Sequence, residues 1–174
     1  EEFEPWSVDR LIQNDDVINK YLIDQFNVLS NFLIPDQGWI FYYNYENKFK
    51  VLNQVSFSDN TIDHIPDEVE IKGILQIIES RNDILIENNL QNVNQSLTFY
   101  SDCDYSAISF IGIPIPMSEQ EKIIITFDSM TPEQFNHQDR EIIDKIVAGI
   151  QSTITFRLKS ISLLSKVKSD KKLL

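Results

Sequence analysis

The sequence predicts an α+β domain: one mostly antiparallel sheet, with helices at both ends of the chain. Three observations carry this. Apolar residues recur at three- and four-residue steps over 7–34 and again through the last third of the chain. Between them lie paired runs of aromatic and β-branched residues separated by turn residues, at 39–57 and 106–129. The elements follow in the order helix, two strands, helix, strand, loop, two strands, helix, with no internal repeat.

Residues 7–34 read as helical through Val8, Leu11, Ile12, Val17, Ile18, Tyr21, Leu22, Phe26, Leu29 and Leu33. "NDD" at 14–16 is placed to cap a second helix after a short first one. Pro35 ends the segment, and "PDQG" supplies turn chemistry. In "WIFYYNYENKFKVLNQVSF" the "NYEN" stretch predicts a hairpin turn. Trp39, Phe41 and Tyr43 share one face of the first strand, and Ile40 and Tyr42 the other. Both faces are apolar, so this strand is expected to be covered on both sides.

Residues 58–68 read as a polar loop, and "VEIKGILQIIES" (69–80) as a short helix. "DILIENN" predicts a brief strand. Residues 91–105 read as irregular, with one helical turn around Leu97–Tyr100. "SAISFIGIPIPM" is a strand with two prolines, which lack ladder donors, so it is expected at an edge or bent near its end. "KIIITFDSM" is its antiparallel partner. "TPEQ" then places Thr131 as N-cap and Pro132 at the first helical position. Ile142, Ile143, Ile146, Val147, Ile150 and Ile154 form one face of the last helix. Beyond Thr155 it keeps Leu158, Ile161, Leu164 and Val167, a stripe that an isolated polar helix does not need and a coiled coil does.

Composition narrows the function. The chain has 174 residues, 42% of them hydrophobic, and a net charge of −12. That is enough to bury a core in one domain. The acidic balance argues against a nucleic-acid partner. No run approaches a membrane span. The single Cys103 allows no intrachain disulfide and fits a reducing compartment, so a cytoplasmic location is expected. A chain starting at Glu1 rather than Met is expected to be a fragment or a processed form of a longer protein. His64 and His137 are too few and too far apart for a histidine-based metal site. Asp63, Asp67, Glu68 and Glu70 lack the spacing and glycine of a calcium loop. Nothing resembles "GxSxG" or a phosphate-cradling glycine loop, so no catalysis is expected from this chain.

The stretch "SFIGIPIPMSEQEKIIITFDSMTPEQFNHQDREIIDKIVAGIQSTI" (109–154) resembles the end of a GAF domain. Such domains close with a proline-containing strand, a hairpin, a "GVLxL" strand and a "P..F...D...L..IA..I" helix. Pro114, Ile123–Phe127, Pro132, Phe135, Asp139, Ile142, Ile146, Ala148 and Ile150 occupy those places. "KGILQIIESRNDILIENN" resembles the family's middle segment, with Gly73 in place. PAS domains, the nearest rival, usually end on a strand rather than on a long helix.

The resemblance implies a bacterial signalling module with a GAF-like (PAS-like) sheet. Its terminal helices pack on one face and a ligand pocket lies on the other. It divides the chain into an N-terminal linker or helix (1–14), a GAF sensor domain (15–155) and a signalling helix (156–174) leading to an absent output domain. A GGDEF diguanylate cyclase is the first expectation for that output. The terminal helices, over 8–33 and 142–167, are expected to form a homodimer. The alternative function is a GAF fold kept only for dimerisation or scaffolding.

For the ligand, Trp39, Phe41 and Tyr43 offer flat faces to a planar ring. Ser101, Asp102, Tyr105 and Ser106 fall in the segment that forms the lid in the family, and Phe57 and Ile74 where other members close the pocket. Cys103 lies between Asp102 and Asp104, which disfavour a thiolate, and lacks the following histidine of bilin-linking members. No covalent cofactor is expected. Of the family's cyclic-nucleotide "NK…F…DE" signature only Phe135 and Asp139 match. A non-covalent cyclic nucleotide, cAMP before cGMP, is the expected ligand.

Overall fold

The computed structural model describes residues 4–90, 97–100 and 105–173. Two helices open the chain, α1 (Val8–Asn14) and α2 (Asp16–Leu33). Ser7 caps α1 by accepting from the Arg10 amide. Asp15 separates the two helices and caps α2, accepting from the amides of Val17 and Ile18. Val8, Leu11 and Ile12 are buried in the same core as α2. Within the segment 1–14, expected as a linker or helix, residues 8–14 are helical and packed on the body. After α2, Ile34 turns into the left-handed region (φ 51°) ahead of Pro35 and redirects the chain into the sheet.

Six strands follow: β1 (Gln37–Tyr43), β2 (Lys48–Ser56), β3 (Glu68–Glu70), β4 (Leu85–Glu87), β5 (Ser109–Pro116) and β6 (Lys122–Ser129). Their order is β3-β2-β1-β6-β5-β4, and every pairing is antiparallel. β1 and β6 lie at the centre and are buried along their whole length. The expected coverage of β1 on both sides is present. Ile40 and Tyr42 join Ile123, Ile125 and Phe127 beneath α1, α2 and the last helix. Trp39, Phe41 and Tyr43 join Ile124, Phe110 and Phe49 on the opposite face. A bulge at Leu52 shifts the pairing between Ile40↔Asn53 and Phe41↔Val51, so β2 changes phase against β1 there.

Four expectations are corrected. The helix read over 69–80 is a strand followed by a shorter helix, α3 (Ile74–Glu79). Val69 pairs with Phe49, and Gly73, at φ 60°, breaks the chain between the two elements. The proline-bearing β5 is not a simple edge strand. β4 covers it from Phe110 to Gly112, and Pro114 and Pro116 lie beyond that cover, where no amide is required for pairing on that side.

Thr131 and Pro132 do not start the last helix either. They form a turn with Glu133 at φ 54°. Asn88 then holds Phe135 by both backbone groups, donating to its carbonyl at 2.7 Å and accepting from its amide at 3.3 Å. Only after this anchor does Asn136 cap a 3-10 turn, His137–Asp139, that leads into α4 (Arg140–Lys172). Lastly, Ile142 is not on the buried face of α4: it is 46% exposed, while Ile143, Ile150 and Ile154 are fully buried.

Among the described residues, Ile154 is the last one buried on α4. The helix continues for a further five turns. Phe156, Leu163, Leu164 and Val167 are exposed along that extension. No described helix is long and apolar enough to cross a membrane.

Candidate functional site

The face of the sheet away from the terminal helices carries the polar chemistry. Strand register decides which side chains meet there, because directly paired residues project to the same side. Gln37 pairs with Asp128, Trp39 with Thr126 and Phe41 with Ile124. On the other flank of β6, Asp128 pairs with Phe110 and Thr126 with Gly112. Gln37, Asp128 and Phe110 thus form one row of the floor, and Trp39, Thr126 and Gly112 the next.

Aromatic side chains cover this floor. Trp39 and Phe41 stack with centroids 5.7 Å apart, and Phe99 lies across both, at 4.6 Å and 6.0 Å. Tyr100 follows in a 3-10 turn, Thr98–Tyr100. The helical turn expected there is present, and it carries two of the covering rings. Ile78 of α3 lies over Gly112, where an added Cβ would meet its Cδ1 at 1.6 Å. Ile74, one of the expected site residues, is fully buried in the same cluster.

Three side chains converge on the Asp128 carboxylate system. The Trp39 Nε1 donates to the Tyr100 hydroxyl at 2.7 Å, and that hydroxyl donates to Asp128 Oδ2 at 2.6 Å. The Tyr105 hydroxyl donates to Asp128 Oδ1. Asp128 is completely buried. Desolvation pushes its pKa up to about 7; the two tyrosine hydrogen bonds oppose that rise and the neighbouring Asp36 adds to it. Burial next to this acid also pushes both tyrosine hydroxyls well above their ordinary value. Thr126 is buried too, and among the described residues its Oγ1 has no hydrogen-bond partner. Gln37 completes the polar row: its Oε1 accepts from Gln54 Nε2 and Ser56 Oγ, each at 2.7 Å, and its Nε2 donates to the Asn60 carbonyl.

The far end of the same face is closed by a buried lysine. Lys122 pairs with Tyr43 in register, and its Nζ donates to the Glu79 carbonyl, the Arg81 carbonyl and Asn82 Oδ1. Those bonds pin the end of α3, and desolvation lowers the lysine pKa. Tyr43 adds a hydrogen bond from its hydroxyl to Glu79. A separate open groove of ≈ 430 Å³ lies by the β1–β2 turn, lined by Asp9, Tyr42, Asn44 and Lys50 among others, and shares none of these residues.

Trp39, Phe41, Tyr43, Ile74 and Tyr105 are therefore brought to one face. Ser106 is exposed. Ser101 and Asp102 lie outside the described residues. Phe57 is a correction. It follows Ser56, whose partner Gln37 is on the polar face, so strand alternation sends Phe57 to the other side. There its ring meets Phe26 and Phe127, at 6.0 Å and 6.5 Å, on the helix side of the sheet, and it remains partly exposed. Phe135 is likewise a fully buried member of that core.

The sequence reading missed Asp128, Thr126 and Tyr100 as site residues. One signal was available. In "KIIITFDS" the residues Lys122, Thr126 and Asp128 share a phase with Ile124, while Ile123, Ile125 and Phe127 occupy the other. A central strand with polar residues in one phase marks a face that is not simply core.

No family model matches the chain, and no curated protein matches it. Solved structures do. A type II free methionine-R-sulfoxide reductase from Thermoplasma acidophilum superposes with a TM-score of 0.62 at 18% identity, covering 80% of this chain and 93% of that one. The GAF domain of a phosphoenolpyruvate-protein phosphotransferase from Coxiella burnetii gives 0.63 at 11% identity, covering 88% and 92%. The GAF3 domain of a Synechocystis protein, solved in its photoproduct state, gives 0.60 at 11% identity, covering 86% and 98%. At such identities the likeness is one of fold, and the chain has the GAF fold.

Proposed function

We propose that this GAF-fold chain is a regulatory sensor module. It holds a planar small molecule, non-covalently, on the face of the sheet that carries Trp39, Phe41 and Asp128. The observation that carries this reading is the hydrogen-bonded set Trp39–Tyr100–Asp128–Tyr105. It ties the covering segment to the sheet through a fully buried ionisable group. Such a group costs stability unless it is compensated, and functional sites are where such costs concentrate. Two of the similar solved structures point the same way by what they bind or sense: one is the chromophore-binding domain of a bacteriophytochrome, another a far-red photoreceptor.

The finer form of the proposal names a cyclic nucleotide, cAMP before cGMP. A purine matches the stacked aromatic floor. Its phosphate has no cation to meet at Asp128, so it would lie outside the described floor. Calorimetry with both nucleotides tests this, and the absence of heat at high micromolar concentration removes the nucleotide while leaving the sensor reading. Residues 15–155 are proposed as the sensing body and 156–174 as a signalling helix toward an output domain, with GGDEF diguanylate cyclase as the first candidate.

Transmission is proposed to run through a homodimer of the terminal helices, over 8–33 and 142–167. Val17 on α2 and Phe156, Leu163, Leu164 and Val167 on α4 are exposed and apolar, which supports this pairing. Sedimentation of the chain with and without 156–174 measures it. A monomer at tens of micromolar in both forms counts against the dimer.

A further inference from the structure

We infer that the group seated at the centre of this site is a hydrogen-bond donor, neutral or positively charged, such as an amidine, an amine or an amino-substituted ring, held by Asp128 and Thr126. The inference rests on the ligand-binding reading above and names the chemistry of that same site.

The argument counts unused hydrogen-bonding capacity. An ionised carboxylate can accept about four hydrogen bonds, and among the described residues Asp128 is engaged by the two hydroxyls of Tyr100 and Tyr105. Those hydroxyls are themselves committed as donors to it. Thr126 Oγ1, two residues away on the same strand face and about 7 Å along it, can accept twice and donate once. It is fully buried and makes no hydrogen bond among the described residues. What the floor has left to offer is mostly acceptor capacity, between Trp39 on one neighbouring strand and Gly112, which Ile78 covers, on the other. A buried polar atom without a partner is uncommon in a settled core, and a ligand group can supply the missing bond.

Charge points the same way. From residue 82 to residue 121 the sequence contains no Lys, Arg or His. The buried cation of this face, Lys122, lies six residues along β6 from Asp128, about 20 Å at the usual strand rise. Its Nζ is taken by three oxygens of the α3 end. Asp36, the other acid acting on Asp128, already has its Oδ2 engaged by Ser129 and the Met130 amide, and it adds negative potential. An anionic head group placed here would face a carboxylate with no counter-charge.

Three molecules of one shape test this: benzamidine, benzamide and benzoate, which differ only in whether the head group is cationic, neutral or anionic. Binding to the full chain is read by calorimetry and by Trp39 fluorescence in a Trp6→Phe background. The expected order of affinity is benzamidine, then benzamide, then benzoate. Asp128→Asn should weaken benzamidine by about tenfold or more and spare benzamide. Thr126→Val keeps the shape of the side chain. It should weaken both donors severalfold while leaving the protein at least as stable, since it removes an unpartnered hydroxyl. Benzoate binding as tightly as benzamidine, with both lost in Phe41→Ala, overturns the donor assignment and leaves the sensor reading standing. Unchanged donor binding in Thr126→Val also overturns the part given to Thr126. No binding of any probe at millimolar concentration overturns the inference as a whole; a Phe41-dependent purine signal would still uphold the sensor reading.

Discussion

β1 and β6 present two faces that are equally buried and differently made. Toward the helices they contribute Ile40, Tyr42, Ile123, Ile125 and Phe127, which meet Leu11, Leu22, Phe26, Leu29 and the buried isoleucines of α4. Toward the covering segment the same strands contribute Gln37, Trp39, Phe41, Thr126 and Asp128. The first face gains from every atom it removes from water. The second removes a carboxylate and a hydroxyl from water as well, recovers part of that cost through Tyr100 and Tyr105, and leaves Thr126 without a partner. One face is organised to hold the molecule together, and the other is held in a costly arrangement that the first can support.

Substitutions separate the two roles. The largest effect is expected on the helix face. Phe127→Ala removes a fully buried ring stacked on Phe26 at 5.0 Å. It should cost up to about 5 kcal/mol in urea unfolding. A loss under about 1 kcal/mol would show that this face does not carry the stability assigned to it.

On the polar face the expected signature is a pH dependence. Asp128 is raised in the folded state from 3.8 to about 7. The folded state therefore holds the proton more tightly than the unfolded chain. Its contribution is fully present below about pH 4 and is lost as pH rises through about 7. Between those limits stability should fall by an amount on the order of 4 kcal/mol, and Asp128→Asn should flatten that slope. A slope unchanged by the substitution would remove Asp128 as its source.

Lys122→Met sharpens the comparison further. It keeps the apolar stem but orphans the Glu79 and Arg81 carbonyls. A loss of about 2 kcal/mol is expected, with faster hydrogen exchange confined to α3 and the turn after it. Exchange rising evenly across the sheet would instead make Lys122 part of the common core.

The smallest effects belong to the junction of α1, α2 and α4. Asp15 caps α2 and also accepts from Arg157 Nε at 2.7 Å. The Arg157 guanidinium, first among its neighbours, holds the Asp15 carboxyl below its ordinary range. This stability is present above the unfolded pKa of Asp15 and is lost as pH falls through the lower folded value, the reverse of the Asp128 trend. Asp15→Ala should cost about 1 kcal/mol through the lost cap, and Arg157→Ala less than that, because the arginine is half exposed. Equal losses for the two would assign the effect to the ion pair rather than to the cap.

Much of this was legible in the residues. The alternation of "WIFYY" assigned Trp39, Phe41 and Tyr43 to one face and Ile40 and Tyr42 to the other, as the structure has them. The three-to-four spacing of 8–33 gave the opening helices, and "NDD" gave the break between them. Local cap chemistry was less decisive near 131, because Thr131 and Asn136 both offer acceptable starts. Phe57 was placed by likeness to other chains rather than by its own strand phase, which puts it among the helix-side residues.

Sequence alone determined the class of most elements, β3 excepted, the two-sided burial of the central strand and the acidic character of residues 82–121. These depend on side-chain periodicity and charge, which a linear pattern records directly. Only the tertiary structure decided that Tyr100 and Tyr105 would meet the carboxylate of Asp128, 28 and 23 residues further on, and that Thr126 would be left beside it without a partner. Which residues face each other across a sheet is set by strand order and register, and those are fixed only when the whole core packs at once.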